Sequence, residues 1–295
     1  MKKATIFTGC GTALITPFKD GEIDYEAFGR LIDYQIAGGA AALIVGGTTG
    51  EAATLRDKER YSLFEFAKEH TRGRAKLIFG TGTNDTATTI RHSKAAERLG
   101  CDGLLIVTPY YNKGTEEGLY SHFRSVAEEV SLPILLYNVP SRTGVNLSFA
   151  VLDRLAEISN IVGIKEAHDS LERLVALRKY GDKLDLYAGG DLEIHTVLAL
   201  GGKGVISVLS NAYPSYVTQI CRAFFDGQQD KSCTMQIKAL EIINALFAET
   251  NPAPIKYLSS TLGLCENELR LPLSPVSDKT RAIIEKANEE FIKKR

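Results

Sequence analysis

The chain lacks any imbalance of charge: 35 Lys and Arg against 36 Asp and Glu leave a formal net charge of -1. Its basic residues are scattered, so there is no electrostatic footing for nucleic acid or an anionic membrane surface, and neither partner is expected. The terminal Lys293-Lys294-Arg295 reads as a solvated helix end. Cysteine is sparse: Cys10, Cys101, Cys221, Cys233 and Cys265 are widely spaced, odd in number and free of any C-x-x-C pair. That argues against a disulfide framework and a zinc site, and fits a reducing compartment, so a cytoplasmic location is expected. His168 and His195 have no His, Cys or carboxylate partner at ligand spacing, so neither a metal nor a cofactor is expected. The G-x-S-x-G elbow of many serine hydrolases is missing. No uninterrupted apolar run approaches the length of a membrane span.

What is present is a rhythm. Short apolar runs at 11–15, 41–45, 76–80, 103–107, 133–137, 161–164, 185–188 and 204–207 alternate with helix-period stretches such as 25–36, 58–69, 87–99 and 119–130. Strand followed by helix, eight times over, predicts a (β/α)8 TIM barrel. After Ser210 the strand signal stops, and helices are predicted over 216–225, 232–248, 253–262 and 278–293. Asn251-Pro252-Ala253-Pro254 and Leu271-Pro272-Leu273-Ser274-Pro275 read as breaks between helices. The chain is therefore read as a catalytic barrel over 1–224 with a C-terminal helical extension over 225–295.

Within that rhythm Lys165 stands out, because it ends the apolar, β-branched run Ile161-Val162-Gly163-Ile164. An ammonium at the end of a buried strand sits either in solvent or in a pocket, and a pocket favours the nucleophilic free amine. An ordinary lysine is neutral in about one molecule per few thousand at pH 7, so the environment decides whether amine chemistry is available. In this fold the loops that follow the strands build the active site. Those loops hold Gly46-Gly47-Thr48-Thr49-Gly50-Glu51, Thr81-Gly82-Thr83-Asn84, Thr108-Pro109-Tyr110-Tyr111-Asn112, Tyr137-Asn138-Val139-Pro140-Ser141-Arg142-Thr143-Gly144, Lys165-Glu166 and Gly189-Gly190-Asp191. The glycine-threonine cluster is either turn chemistry or a nest in which N–H groups and hydroxyls approach a carboxylate. Tyr137 is either a core tyrosine or a proton relay beside Lys165. Gly201-Gly202-Lys203-Gly204 resembles a phosphate loop but precedes a strand instead of opening a helix, which removes the helix dipole such loops use.

Gly47-Thr48-Thr49-Gly50-Glu51, Tyr110-Tyr111-Asn112, the stretch from Tyr137 to Gly144, Gly163-Ile164-Lys165-Glu166-Ala167, Gly204-Val205-Ile206-Ser207 and Leu269-Arg270-Leu271-Pro272 together closely resemble the dihydrodipicolinate synthase family, nearly end to end. That family lies within the pyruvate-dependent class I aldolases of the N-acetylneuraminate lyase superfamily. The resemblance implies condensation of pyruvate with L-aspartate 4-semialdehyde through a Schiff base on Lys165. It implies Tyr137 as proton shuttle, linked through Thr48 to a Tyr111 supplied by the neighbouring subunit. Thr48 and Thr49 would hold the pyruvate carboxylate and Arg142 that of the second substrate, with Gly189 and Ile206 lining the site. It implies a homo-oligomer, a tight dimer and commonly a tetramer. Members inhibited by lysine bind it at positions matching Asn84, Tyr110, Ala53, Arg60 and Thr88. Here Arg60 and Thr88 stand where those members have His and Glu, so a cationic effector loses attraction, and weak or absent inhibition is expected. The rival within the fold is another Schiff-base pyruvate aldolase, an N-acetylneuraminate lyase or a 2-keto-3-deoxy sugar acid aldolase. Those do not usually carry an arginine matching Arg142. A catalytically silent barrel would be expected to have lost Lys165, Tyr137 or the threonine pair.

Overall fold

The computed structural model describes residues 3–168 and 170–295. Eight parallel strands close into a barrel: β1 (Gly9–Ala13), β2 (Ala42–Val45), β3 (Lys76–Gly80), β4 (Gly103–Val107), β5 (Ile134–Asn138), β6 (Ile161–Glu166), β7 (Asp185–Ala188) and β8 (Gly204–Ser207). They pair in chain order, and β8 closes on β1. Around them run α1 (Tyr25–Ala37), α2 (Asp57–Thr71), α3 (Thr86–Arg98), α4 (Glu116–Glu128), the short α5 (Pro140–Thr143), α6 (Phe149–Leu155), α7 (Leu171–Leu177), α8 (Ile194–Ala199) and α9 (Pro214–Phe225). Helices α10 (Gln229–Lys238), α11 (Leu240–Ala245), α12 (Ala253–Thr261) and α13 (Asp278–Lys294) complete the chain.

The helices start where side chains can take up orphan N–H groups. Asp24, Asp85, Thr115, Ser148, Ser170 and Ser277 each accept from the backbone three residues on, at the N-termini of α1, α3, α4, α6, α7 and α13. The strands are apolar on both faces because one face lines the barrel interior and the other packs against helices. An inner cluster holds Ala13, Ile44, Ile78, Leu105, Leu135, Tyr137, Tyr187 and Ile206. The larger outer cluster runs from the sheet into α11 and α13 through Ile242, Ile243, Ile284 and Phe291, so apolar packing continues across position 225.

Most element ends shift by one to three residues from the sequence reading, and two departures have a structural reason. The first strand begins at Gly9 and ends at Ala13, two residues early. Hydrophobicity cannot mark that start, since Leu14 and Ile15 beyond it are as buried as the strand. What permits it is the pairing of Gly9 with Gly204, where a Cβ on Gly204 would lie 1.9 Å from the Gly9 carbonyl oxygen. The helix expected over 232–248 is two, α10 and α11, parted at Ala239. No Gly or Pro announces the break. It coincides with a tertiary tie: the Gln236 amide donates to the Asp191 carbonyl and accepts from the His195 N–H, fastening α10 to the region after β7.

Candidate active site

Lys165 stands near the C-terminal end of β6, in register with Tyr137 on β5 and Tyr187 on β7. The buried run before it carries the lysine inward, leaving it 5% exposed. Its Nζ lies 4.2 Å from the centroid of the Tyr137 ring. Among the described residues, the two ion pairs whose partners are both buried, Glu166–Arg173 and Glu51–Lys256, leave it out. The nearby charge is Asp191, which is fully buried and accepts from the N–H groups of Val208 and Leu209. Burial pushes the Asp191 carboxyl up, and hydrogen bonds together with the charge on Lys165 pull it back.

The two tyrosines flanking Lys165 have different environments. The Tyr187 hydroxyl donates to the Phe7 carbonyl at 2.6 Å, its ring stacks on Phe7, and burial raises its pKa, so it stays a phenol and forms the floor. The Tyr137 hydroxyl has no hydrogen-bond partner among the described residues, although the ring is buried. Of the pair, Tyr137 has the hydroxyl available to a reacting group.

The loop after β2 turns at Gly46, φ +67°, and Gly47 O then accepts from the N–H groups of Gly50 and Ala52. It sits so close to β3 that a Cβ on Gly80 would lie 2.3 Å from the Gly46 carbonyl oxygen. This brings Thr49 into burial and leaves Thr48 half-buried. Glu51, at φ 54°, fastens the loop to the C-terminal helices: its carboxylate pairs with Lys256 of α12 and accepts from the Arg270 N–H. The Glu51 and Lys256 side chains are completely buried. Gly189 donates its N–H to the carbonyl of Glu166, placing it beside the lysine strand, and Ile206 belongs to the inner cluster. Arg142, on α5, is exposed at the rim and donates to the carbonyl of Asn251 at 2.8 Å.

Tyr111 departs from this assembly. It is 88% exposed, has φ +74°, and no hydrogen bond joins it to Thr48 or Tyr137 among the described residues. Of the five positions matched to a lysine site, four are exposed or half-buried. Asn84 gives its carbonyl to Asn112, Thr88 lies in the first turn of α3 beside Arg91, Ala53 is exposed, and Tyr110 is half-buried. Arg60 is buried, with its guanidinium turned inward to the carbonyls of Ala52 and Gly80. The cation is thus engaged by the protein's own backbone.

Sequence reasoning missed Asn251 and Lys256. Both lie in the extension, where N-P-A-P was read only as a helix break; a fully buried lysine in α12 has no local signal. The run Gly201-Gly202-Lys203-Gly204 is the turn into β8, with Gly201 at φ +82°.

Comparison with known proteins agrees with this architecture. The Dihydrodipicolinate synthetase family model matches residues 6–290. A 4-hydroxy-tetrahydrodipicolinate synthase of Thermotoga neapolitana is 48% identical over 280 residues, covering 93% of this chain and 95% of that protein. The solved dihydrodipicolinate synthase of Thermotoga maritima superposes with a TM-score of 0.95 at 42% identity, covering 97% of this chain and 99% of the other. A monomeric dihydrodipicolinate synthase variant superposes with a TM-score of 0.94 at 42% identity and covers 97% of each chain. Likeness of this degree, from the first strand to the last helix and in both sequence and shape, means that this chain belongs to the dihydrodipicolinate synthase family.

Proposed function

We propose that the chain is a 4-hydroxy-tetrahydrodipicolinate synthase, condensing pyruvate with L-aspartate 4-semialdehyde, and that Lys165 carries the reaction. The observation behind the assignment of Lys165 is a lysine amine enclosed at the C-terminal mouth of the barrel, over the Tyr137 ring and outside both buried ion pairs. The free amine adds to the keto carbon of pyruvate, and loss of water leaves an iminium. The iminium draws electrons from the methyl group, whose proton departs to give an enamine. The enamine carbon attacks the aldehyde of the second substrate, and the new alkoxide takes a proton. The amino group of that substrate then displaces Lys165 from the imine carbon, closing the ring and releasing the lysine.

Each transfer needs a proton carrier at the amine, and the unengaged Tyr137 hydroxyl supports that role. Thr48 and Thr49 offer hydroxyls to the pyruvate carboxylate, while Arg142 offers a guanidinium to the carboxylate of the semialdehyde. Gly189 and Ile206 shape the wall. Tyr111 completes the relay in a neighbouring subunit: its exposure and left-handed backbone suit a side chain held out for a partner. The assembly is therefore at least a dimer, with 1–224 as the catalytic unit and 225–295 bracing it. Arg60, spent on Ala52 and Gly80, and Thr88 leave lysine a poor effector. A biosynthetic reaction of this kind, with reduced cysteines, belongs in the cytoplasm.

Incubation with pyruvate and borohydride, with and without semialdehyde, tests the reading. A reduced adduct mapped to Lys165 together with semialdehyde turnover is expected. An adduct without turnover would transfer the chain to another pyruvate aldolase, and the absence of an adduct would overturn the mechanism.

A further inference from the structure

From the contacts of one residue of the C-terminal extension, we infer that Asn251 is a positioning residue for the pyruvate carboxylate, acting by fixing the direction in which the Thr49 hydroxyl donates. The inference rests on the proposed role of Thr49 and goes beyond it. Asn251 lies between α11 and α12 and is 5% exposed. Its Nδ2 donates to Thr49 Oγ1 at 3.0 Å. Its backbone carbonyl accepts from Arg142 Nη2 at 2.8 Å. Its Oδ1 is buried and has no hydrogen-bond partner among the described residues.

The direction of the first bond matters. An amide nitrogen can only donate, and a threonine hydroxyl has one proton and two acceptor lone pairs. With one lone pair taken up by Asn251, the hydroxyl proton of Thr49 points elsewhere, and no acceptor for it exists among the described residues. A carboxylate arriving at the loop meets a hydroxyl already turned to donate, so no competing bond has to be broken. The unpartnered Oδ1 ties the amide to no other group among the described residues. In Asn251 the sole side-chain bond goes to Thr49, while the backbone carbonyl separately steadies Arg142. One residue thus touches both carboxylate-binding groups, but its side chain governs only the pyruvate side.

Replacement separates the two. In Asn251→Asp the side chain accepts in place of donating, captures the Thr49 proton and sets a negative charge beside the substrate carboxylate. The KM for pyruvate is expected to rise about tenfold or more, the worth of one hydrogen bond to a charged group. The KM for the semialdehyde should change by less than about threefold, because the carbonyl to Arg142 is retained. Asn251→Ala should raise the pyruvate KM less. The effect must also pass through Thr49. Adding Asn251→Asp to Thr49→Val should cost little further, and additivity of the two would show that Asn251 acts independently.

Steady-state kinetics for each substrate, with borohydride trapping of pyruvate and circular dichroism on the same samples, decide the matter. Unchanged pyruvate saturation in a folded Asn251→Asp enzyme overturns the inference, as does an equal rise in both KM values. Should the aspartate variant fail to fold, Asn251→Ala carries the same selectivity test. Failure of the unsubstituted enzyme to trap pyruvate on Lys165 would instead overturn the Schiff-base reading itself.

Discussion

At the scale of single residues, the proposed site has a few uncommitted groups among many that are tied down. Tyr187 and Tyr137 flank the same lysine, yet only Tyr187 gives its hydroxyl to the backbone. Tyr137→Phe should therefore lower turnover by about 10²- to 10⁴-fold, the usual worth of general acid-base catalysis. Tyr187→Phe should mainly reduce stability. Steady-state rates set against urea midpoints distinguish the two, and a Tyr137→Phe enzyme keeping half its activity would remove that residue from the mechanism. Arg142 is tested by substrate preference. Arg142→Lys retains charge but loses the planar fork, so the semialdehyde KM should rise about tenfold with pyruvate trapping unaffected.

Elements bring these residues together, and the loop after β2 shows how. Its floor is β3 and its outer tie is the buried Glu51–Lys256 pair, reinforced by the Arg270 N–H and by Phe18, whose ring centroid is 4.2 Å from the Lys256 amine. Lys256→Met strands a buried carboxylate, which typically costs about 3–5 kcal/mol. Urea unfolding should show that loss, partly recovered by adding Glu51→Gln. Helices α3 and α4 contribute a pH dependence. Burial depresses His92 and His122 to about 4, and the Nδ1 atoms are hydrogen-bonded to the Tyr61 and Thr86 hydroxyls respectively. Both are neutral when folded but gain protons near 6.5 when unfolded, so the unfolded state binds more protons between these values. Stability is complete above about pH 6.5 and falls as pH drops toward 4. Thermal melts across that window should show the decline, and His122→Asn should remove about half of it, leaving the share of His92.

For the whole molecule, the proposal that the exposed Tyr111 serves a second subunit can be tested directly. If each site takes Tyr111 from a neighbour, then Lys165→Ala and Tyr111→Phe chains, each poorly active alone, should complement when mixed through unfolding and reassembly. A hybrid dimer has one intact site, so random pairing gives about a quarter of the unsubstituted activity. Absence of any gain would place the relay within one chain. Lysine titration tests the other surface: with Arg60 engaged inward, inhibition should be weak or absent, and half-inhibition at submillimolar lysine would show that the position still serves an effector.

The sequence by itself determined the alternation of eight strands with helices, because short continuous apolar runs and period-3.6 stretches are written locally, and it marked Lys165, Tyr137, Thr48 and Thr49 because charged, aromatic and small polar residues at or just after strand ends break that pattern. Strand limits were less legible at β1, where both faces are buried and only the approach of Gly204 to Gly9 sets the start. The split of α10 from α11 was hidden as well, since a tie from Gln236 to Asp191 carries no mark in either segment. Tertiary structure alone brought Asn251 to Thr49, a separation of 202 residues, and Lys256 to Glu51, a separation of 205. Such contacts depend on how the extension folds back over the barrel mouth, and local propensity cannot register a hydrogen bond whose partner lies at the other end of the chain.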